Sequence, residues 1–130
     1  MSYANEFSDI LARLQANWST TSIATPNVPF NPGGSAYVRL NVLNTEAQRT
    51  EFSGGSEWVF FPGIIQVDIF VPEATGVFTA KSYADTIFGI FSRAEFSNID
   101  CDVGEVVDVG TIEGYYQLSV SIPFTRREDQ

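Results

Sequence analysis

Apolar residues near the start of the chain recur at helical spacing and predict an amphipathic helix. The apolar positions stand at i, i+3, i+4, i+7 and i+11 and therefore share one face: Phe7, Ile10, Leu11, Leu14 and Trp18. Polar residues are placed on the opposite face: Glu6, Asp9, Arg13 and Gln15. Asn5 or Ser2 can cap the start of this helix, and the serine and threonine run at 19–22 ends the pattern.

A second helical pattern runs from Val77 to about Arg93. Its apolar positions again repeat at intervals of three and four residues: Val77, Ala80, Ala84, Ile87, Phe88 and Phe91. Thr75 precedes the pattern and is predicted as its N-cap. The small alanines allow this helix to lie close against a sheet.

Alternation of apolar and polar residues predicts strands. Residues 37–43 and 64–71 alternate with a period of two, and Pro72 stops the second of these strands. Pro62 and Gly63 are expected to bend the longer run that begins at Glu57. In the last third, strands are predicted at about 105–109 and at 115–124, with a turn at Glu113 and Gly114.

The segment 44–55 loses this periodicity and is predicted to be a mobile loop. It carries charged residues and closes on the pair Gly54 and Gly55. Trp58 follows it in an aromatic run, where three roles are open: a core residue, an anchor for a protein partner or a platform for a sugar.

The order of these elements predicts one α+β domain over residues 1–130, with an antiparallel-rich, mixed β-sheet and both amphipathic helices packed on one face. The polar tail 125–130 is expected to fray. The predicted core consists of the apolar helix positions and the inward strand positions: Phe7, Ile10, Leu11, Leu14, Trp18, Val38, Leu40, Val67, Ile69, Ala84, Ile87, Phe91, Leu118, Val120 and Ile122.

Charge and residue usage exclude several classes of function. The 130 residues include 7 Lys plus Arg against 16 Asp plus Glu, a formal net charge of −9, and binding to nucleic acid needs cations that neutralise phosphates. With no His and a single Cys, the chain cannot form a His-based triad, a zinc finger or an intrachain disulfide. Cys101 lies between two aspartates that disfavour its thiolate, so it is interpreted as a small, partly buried residue.

Metal and membrane sites are also not expected. The acidic stretch 98–105 does not fit a calcium loop, because Val103 stands where the turn glycine is needed and Val109 where the bidentate glutamate is needed. The richest apolar window, 59–71, is interrupted by Pro62, Gly63, Gln66 and Asp68, so no membrane span fits. The sequence therefore predicts a protein without catalytic residues, metal or cofactor.

Five stretches in a fixed order carry a resemblance to a known family. They are the opening helix ending at Trp18, the segment Pro26–Pro32 leading into Tyr37–Leu40, the strand Gly63–Pro72, the helix Ala84–Phe91 and the closing Ser121–Phe124. In this order and spacing the chain resembles, over nearly its whole length, the tail terminator-like proteins of long-tailed phages.

The resemblance implies a virion structural protein that is made in the host cytoplasm and is located at the head-proximal end of the tail. Such a protein forms a homo-oligomeric ring, expected to be a hexamer, that caps the tail tube, stops its polymerisation and offers a surface to the head–tail connector protein. The implied partners are further copies of the chain, the tail tube protein and the connector, with no sequence-specific nucleic acid and no membrane.

The surface that would join copies in a ring is predicted from the segment 44–55 and its neighbour. This segment is polar enough to stay in solvent, and its charged and aromatic residues can fix a contact: Glu46, Arg49, Glu51, Phe52 and Trp58. Two other roles remain open at this point. One is a neck or head-completion protein, and the other is a carbohydrate- or protein-binding accessory module of a virion.

Overall fold

In the computed structural model, which describes residues 3–26, 28–31, 33–51 and 57–129, each of two α-helices is followed by four strands. Two α-helices, one short 3-10 turn (Glu73–Thr75) and eight strands are formed in this described part. In chain order the helices and strands are α1 (Tyr3–Asn17), β1 (Ser22–Ala24), β2 (Tyr37–Asn44), β3 (Gln48–Glu51), β4 (Glu57–Pro72), α2 (Val77–Phe91), β5 (Glu95–Phe96), β6 (Ile99–Cys101), β7 (Glu105–Ile112) and β8 (Tyr115–Asp129).

The two longest strands, β4 and β8, form the centre of the sheet. They are antiparallel over nearly their full length, from the pair Trp58 and Asp129 to the pair Pro72 and Tyr115. On the outer side of β4, β2 pairs with one half and β3 with the other, while β1 adds to β2 as a parallel strand. On the outer side of β8, β7 pairs with one half and β6 with the other, and β5 adds to β6. The predicted α+β fold with a mixed, antiparallel-rich sheet is confirmed.

Both helices pack on one face of this sheet. The register places Leu40 opposite Val67 and Val67 opposite Val120, so one row of side chains crosses three strands on the same face. A single buried cluster joins that face to both helices. All the predicted core residues lie in this cluster or pack against it, with Phe7 and Leu11 only partly buried and the rest buried.

The opposite face of the sheet carries no helix in the described part of the chain. Its buried apolar cluster is small and consists of Ala24, Tyr37 and Phe70, with Tyr115 packed against it. We call this side the open face.

The segment 44–55 differs from the predicted mobile loop because it contains β3. Four residues pair with β4 there, from Gln48 opposite Phe60 to Glu51 opposite Glu57. These residues form a strand through backbone hydrogen bonds to β4, which do not require apolar and polar residues to alternate along the sequence. Residues 52–56 of the segment lie outside the described part of the chain.

Strand β4 runs through Pro62 and Gly63 as one element, and its pairing with β8 continues there without the register shift of a bulge. The reason for glycine is close packing. A Cβ at position 63 would stand 2.6 Å from the carbonyl oxygen of Leu43 and 2.7 Å from the ring of Phe124. Gly63 therefore allows β2 and the Phe124 ring to approach the middle of β4.

The expected fraying of the tail 125–130 is wrong, because β8 continues to Asp129 and Arg126 is buried. The Nε of Arg126 donates to the Oε1 of Glu6 over 2.9 Å, and its Nη1 lies 2.7 Å from the Oε1 of Glu128. The placement of Glu6 on the polar side of α1 is also wrong. Glu6 stands four residues before Ile10 and is only 1% exposed, on the face that packs on the sheet.

Helix α2 begins without the predicted cap. Thr75 belongs to the 3-10 turn, and Gly76 holds the N-cap position at a φ of 96° with no side-chain hydrogen bond. Neither helix of the described residues is long and apolar enough to cross a membrane.

Candidate assembly surface

Strand β7 lies at an edge of the sheet. In the described part of the chain it pairs with β8 alone, so its outer row of backbone donors and acceptors has no strand beside it. Seven of its eight residues are exposed, and Gly110 is half-buried. Such a row is a template on which another strand can pair.

The side chains of β7 are unusually apolar for an exposed strand. Val106, Val107, Val109 and Ile112 have exposed fractions between 42% and 46%. β-branched residues of this kind favour the extended conformation that strand pairing needs. Natural edge strands are usually short or carry charges, prolines or bulges; β7 is eight residues long and contains no lysine or proline, and its protecting features are Glu105, Asp108 and the bulge before Gly110.

The exposed valines of β7 lie on both faces of the sheet. Val106 is opposite Val120 on the helix-bearing face, and Val107 is opposite Ser119 on the open face. The register shifts between Asp108 and Gly110, where the φ of Gly110 is 110°. This bulge places Val109 outside the regular ladder.

An ion pair joins the first half of α2 to β7. The Nζ of Lys81 lies 3.9 Å from the Oδ2 of Asp108, and the hydroxyl of Tyr116 donates to the Oδ1 of the same residue over 3.2 Å. Phe78 stands one helical turn before Lys81 and is 85% exposed. We define the β7 surface as the four exposed apolar residues of the strand, Val106, Val107, Val109 and Ile112.

The charge around the β7 surface is negative. The sequence has no Lys or Arg between Arg93 and Arg126, while that interval contains the β7 acids Glu105 and Asp108. Lys81 on α2 supplies a cation to Asp108. A partner strand that carries a cation is therefore a better electrostatic match than one that carries further carboxylates.

A shallow aromatic depression adjoins one end of β7 on the open face. The rings of Tyr37 and Phe70 stack with centroids 4.6 Å apart, Tyr115 meets them edge-on, and the guanidinium of Arg39 lies 5.3 Å from the centre of the Phe70 ring. The depression measures about 410 Å³ and includes Ile112. Burial raises the pKa of the Tyr37 hydroxyl, so this group is a neutral hydrogen-bonding partner at physiological pH.

The predicted assembly residues lie on the other edge of the sheet. Glu46 is exposed between β2 and β3, Arg49 and Glu51 are on β3, and Trp58 is on β4 opposite Thr50. Phe52 is outside the described part of the chain. The structure thus separates these residues from the β7 surface, because β3 borders β4 whereas β7 borders β8.

The β7 surface was not identified from the sequence, although a signal for it exists. Val106 and Val107 are adjacent apolar residues. In a strand, adjacent side chains point to opposite faces, so both faces are apolar there. Such a run is typical of a strand buried on both sides. At β7 it marks a strand that is exposed on both sides instead.

The candidate groups for metal binding or nucleophilic chemistry are the carboxylates and the single thiol, Cys101. Among the described residues, no group of three or more His, Cys, Asp or Glu is placed to hold a metal ion. The pKa of the Cys101 thiol is raised to about 11, mainly by burial; Arg13 lowers it, and the nearby Asp100 and Asp102 raise it. The thiol is thus protonated at physiological pH and is a poor nucleophile.

Comparisons with known proteins give a family and a fold. The sequence profile of a family described as phage tail terminator protein matches residues 8–124. A solved structure whose name states no function aligns with a TM-score of 0.71 and 18% sequence identity, covering 100% of this chain and 96% of the other, and this likeness concerns the fold alone. No curated protein sequence matches the chain.

Proposed function

The chain belongs to the phage tail terminator protein family, and from this premise we propose that it closes the head-proximal end of the tail tube as a ring of identical subunits. The family is structural, so the chain is a protein of the phage tail. In the proposed role the ring ends polymerisation of the tube and then presents a docking surface to the head–tail connector. A hexamer is the proposed size of the ring.

The observation that carries this proposal is the family match over residues 8–124, which includes all of α2, most of α1 and most of the sheet. The exposed β7 surface supports the oligomeric part of it. A closed ring needs two different patches on each subunit, one for each neighbour. An apolar edge strand is suited to be one of these patches.

The second patch is proposed at the edge formed by β3 and the residues before it. Glu46, Arg49, Glu51, Phe52 and Trp58 remain the proposed contact residues there. Strand β3 pairs with β4 and β7 pairs with β8, so the two proposed patches are different surfaces of the subunit, as a head-to-tail contact requires.

The experiment is to mix the purified protein with tail tubes and with polymerising tube protein. In the proposed role, negative-stain images show a ring at one end of each tube, and tubes stop growing at protein concentrations that saturate this end. The control is an equal amount of an unrelated acidic protein of similar size. Binding to connector-bearing heads without any binding to tube ends would instead favour the neck role.

A further inference from the structure

We propose that β7 of one copy pairs edge to edge with β3 of the next copy, so that the sheets of neighbouring subunits join. The inference deepens the proposed function, because it names the two patches through which the ring closes. The binding partner in this proposal is a second copy of this chain, and not the tube protein or the connector.

The two strands are suited to each other by their positions in the sheet. In the described part of the chain β3 pairs with β4 alone and β7 pairs with β8 alone, so each has a free outer edge. Since β4 and β8 are neighbours at the centre, these free edges face in opposite directions. Joining one to the other repeats the same head-to-tail contact from copy to copy, and in a closed ring neither of these two edges is left unpaired.

Charge favours this contact over a two-fold contact between two β7 strands. Two β7 strands would bring Glu105 and Asp108 of both copies into one interface, which is four carboxylates. Strand β3 contributes one cation, Arg49, and one carboxylate, Glu51. Like charges placed opposite each other destabilise a strand pair, whereas opposite charges stabilise it.

The valines add the apolar part of the contact. In a paired edge, Val106 lies on one side of the joined sheet and Val107 on the other, so the neighbour covers apolar area on both faces. Removing apolar surface from water contributes about 25 cal/mol per Å². This contribution is available only to the assembled protein, because both residues are about half exposed in the single copy.

The test uses one variant for each edge. Val107→Lys places a charge on the β7 edge, in the way that natural proteins block edge strands, and Arg49→Glu reverses the cation of β3. Val28→Lys is the matched control, since Val28 is 59% exposed and lies in the segment before β2. Circular dichroism and thermal unfolding establish that all three variants keep the fold.

Sedimentation velocity then measures self-association. The expected result is that Val107→Lys and Arg49→Glu each weaken self-association at least tenfold, while Val28→Lys matches the wild type. An equimolar mixture of the first two variants should again form complexes, because it contains one intact β3 edge and one intact β7 edge. No complex in this mixture, or wild-type association by folded Val107→Lys, would overturn the pairing.

Failure of the inference can be told from failure of the proposed function. Capping of tail tubes by the wild type is measured separately by negative stain. If the wild type caps tubes and Val107→Lys caps them equally well, the strand pairing is wrong and the terminator role stands. If the wild type associates through both edges and never binds tubes, the pairing stands and the terminator role is wrong.

Discussion

Arg126 connects the last strand to the first helix through a buried charge pair. Its side chain and that of Glu6 are each 1% exposed, and the Oε2 of Glu6 also accepts a hydrogen bond from the amide of Asn44 over 2.7 Å. The guanidinium lies over the Phe61 ring, 4.2 Å from its centre. α1, β2, β4 and β8 therefore meet at one polar point within the apolar core.

This pair predicts strongly non-additive mutational effects. Arg126→Met or Glu6→Leu alone should destabilise the fold by about 3–5 kcal/mol, because each leaves one buried charge without its main partner. The double variant should be destabilised by less than the sum of the two single variants. Urea unfolding at neutral pH measures the free energy of unfolding of the wild type, the two single variants and the double variant. If the effects of the two substitutions simply add in the double variant, the pair has no energetic coupling.

Cys101 should be nearly unreactive in the native protein. Its thiol pKa is raised from 9.0 to about 11, so the thiolate fraction at pH 8 is far smaller than in the unfolded chain. We expect modification by a disulfide reagent at pH 8 to be at least about tenfold slower in the native state than in urea. Equal rates in the two states would contradict the burial of this thiol.

The same group affects stability at alkaline pH. Between pH 9 and about 11 the unfolded chain loses the thiol proton that the native state keeps, so the free energy of unfolding should fall as pH rises through this window. Cys101→Ala is the control, because it removes the titration. If both proteins lose stability equally from pH 9 to 11, other groups dominate the alkaline transition.

At the scale of elements, the helices and strands that could be predicted from the sequence are the long, amphipathic ones. The patterns at α1, α2, β2 and β8 each repeat often enough to define a period, and each strand or helix packs on one core face. The strands β1, β3, β5 and β6 have two to four residues and are too short to show one. They form because a longer strand offers them an edge, which is a property of the assembled sheet.

The candidate site was less predictable than the fold. A charged, aperiodic stretch such as 44–55 is typical of a loop, and pairing with β4 is what makes part of it a strand. The exposure of Val106 and Val107 depends on β7 being the last strand on its side of β8, and local sequence does not encode that position.

Two glycines within regular elements should respond in opposite ways to alanine. Gly63→Ala should destabilise by about 1–3 kcal/mol, since its Cβ would overlap the Leu43 carbonyl and the Phe124 ring. Gly89→Ala should stabilise α2 by up to about 1 kcal/mol, because nothing lies within 4 Å of its Cβ position and alanine is the better helix former. Thermal unfolding compares the pair, and destabilisation by Gly89→Ala would contradict its open surroundings.

At the scale of the whole molecule, the net charge of −9 opposes association of identical copies. Raising the ionic strength from about 0.01 M to about 0.15 M shortens the Debye length from roughly 30 Å to roughly 8 Å, which screens this repulsion. Self-association of the wild type should therefore strengthen with salt, as sedimentation velocity can measure. Weakening with salt would mean that ion pairs, and not the apolar β7 surface, dominate the contact between copies.

The central position of β8 has a consequence for protein synthesis. β4, β6 and β7 all pair with β8, yet each of them precedes it in the chain. On the ribosome these strands emerge without their shared partner, and the sheet can close only after residues 115–129 have left the exit tunnel. At a translation rate of about 5–20 residues per second this interval lasts on the order of seconds. During it, the apolar residues of β4 lack the strand that covers one of their edges, so this is the interval in which the chain is most exposed to premature association.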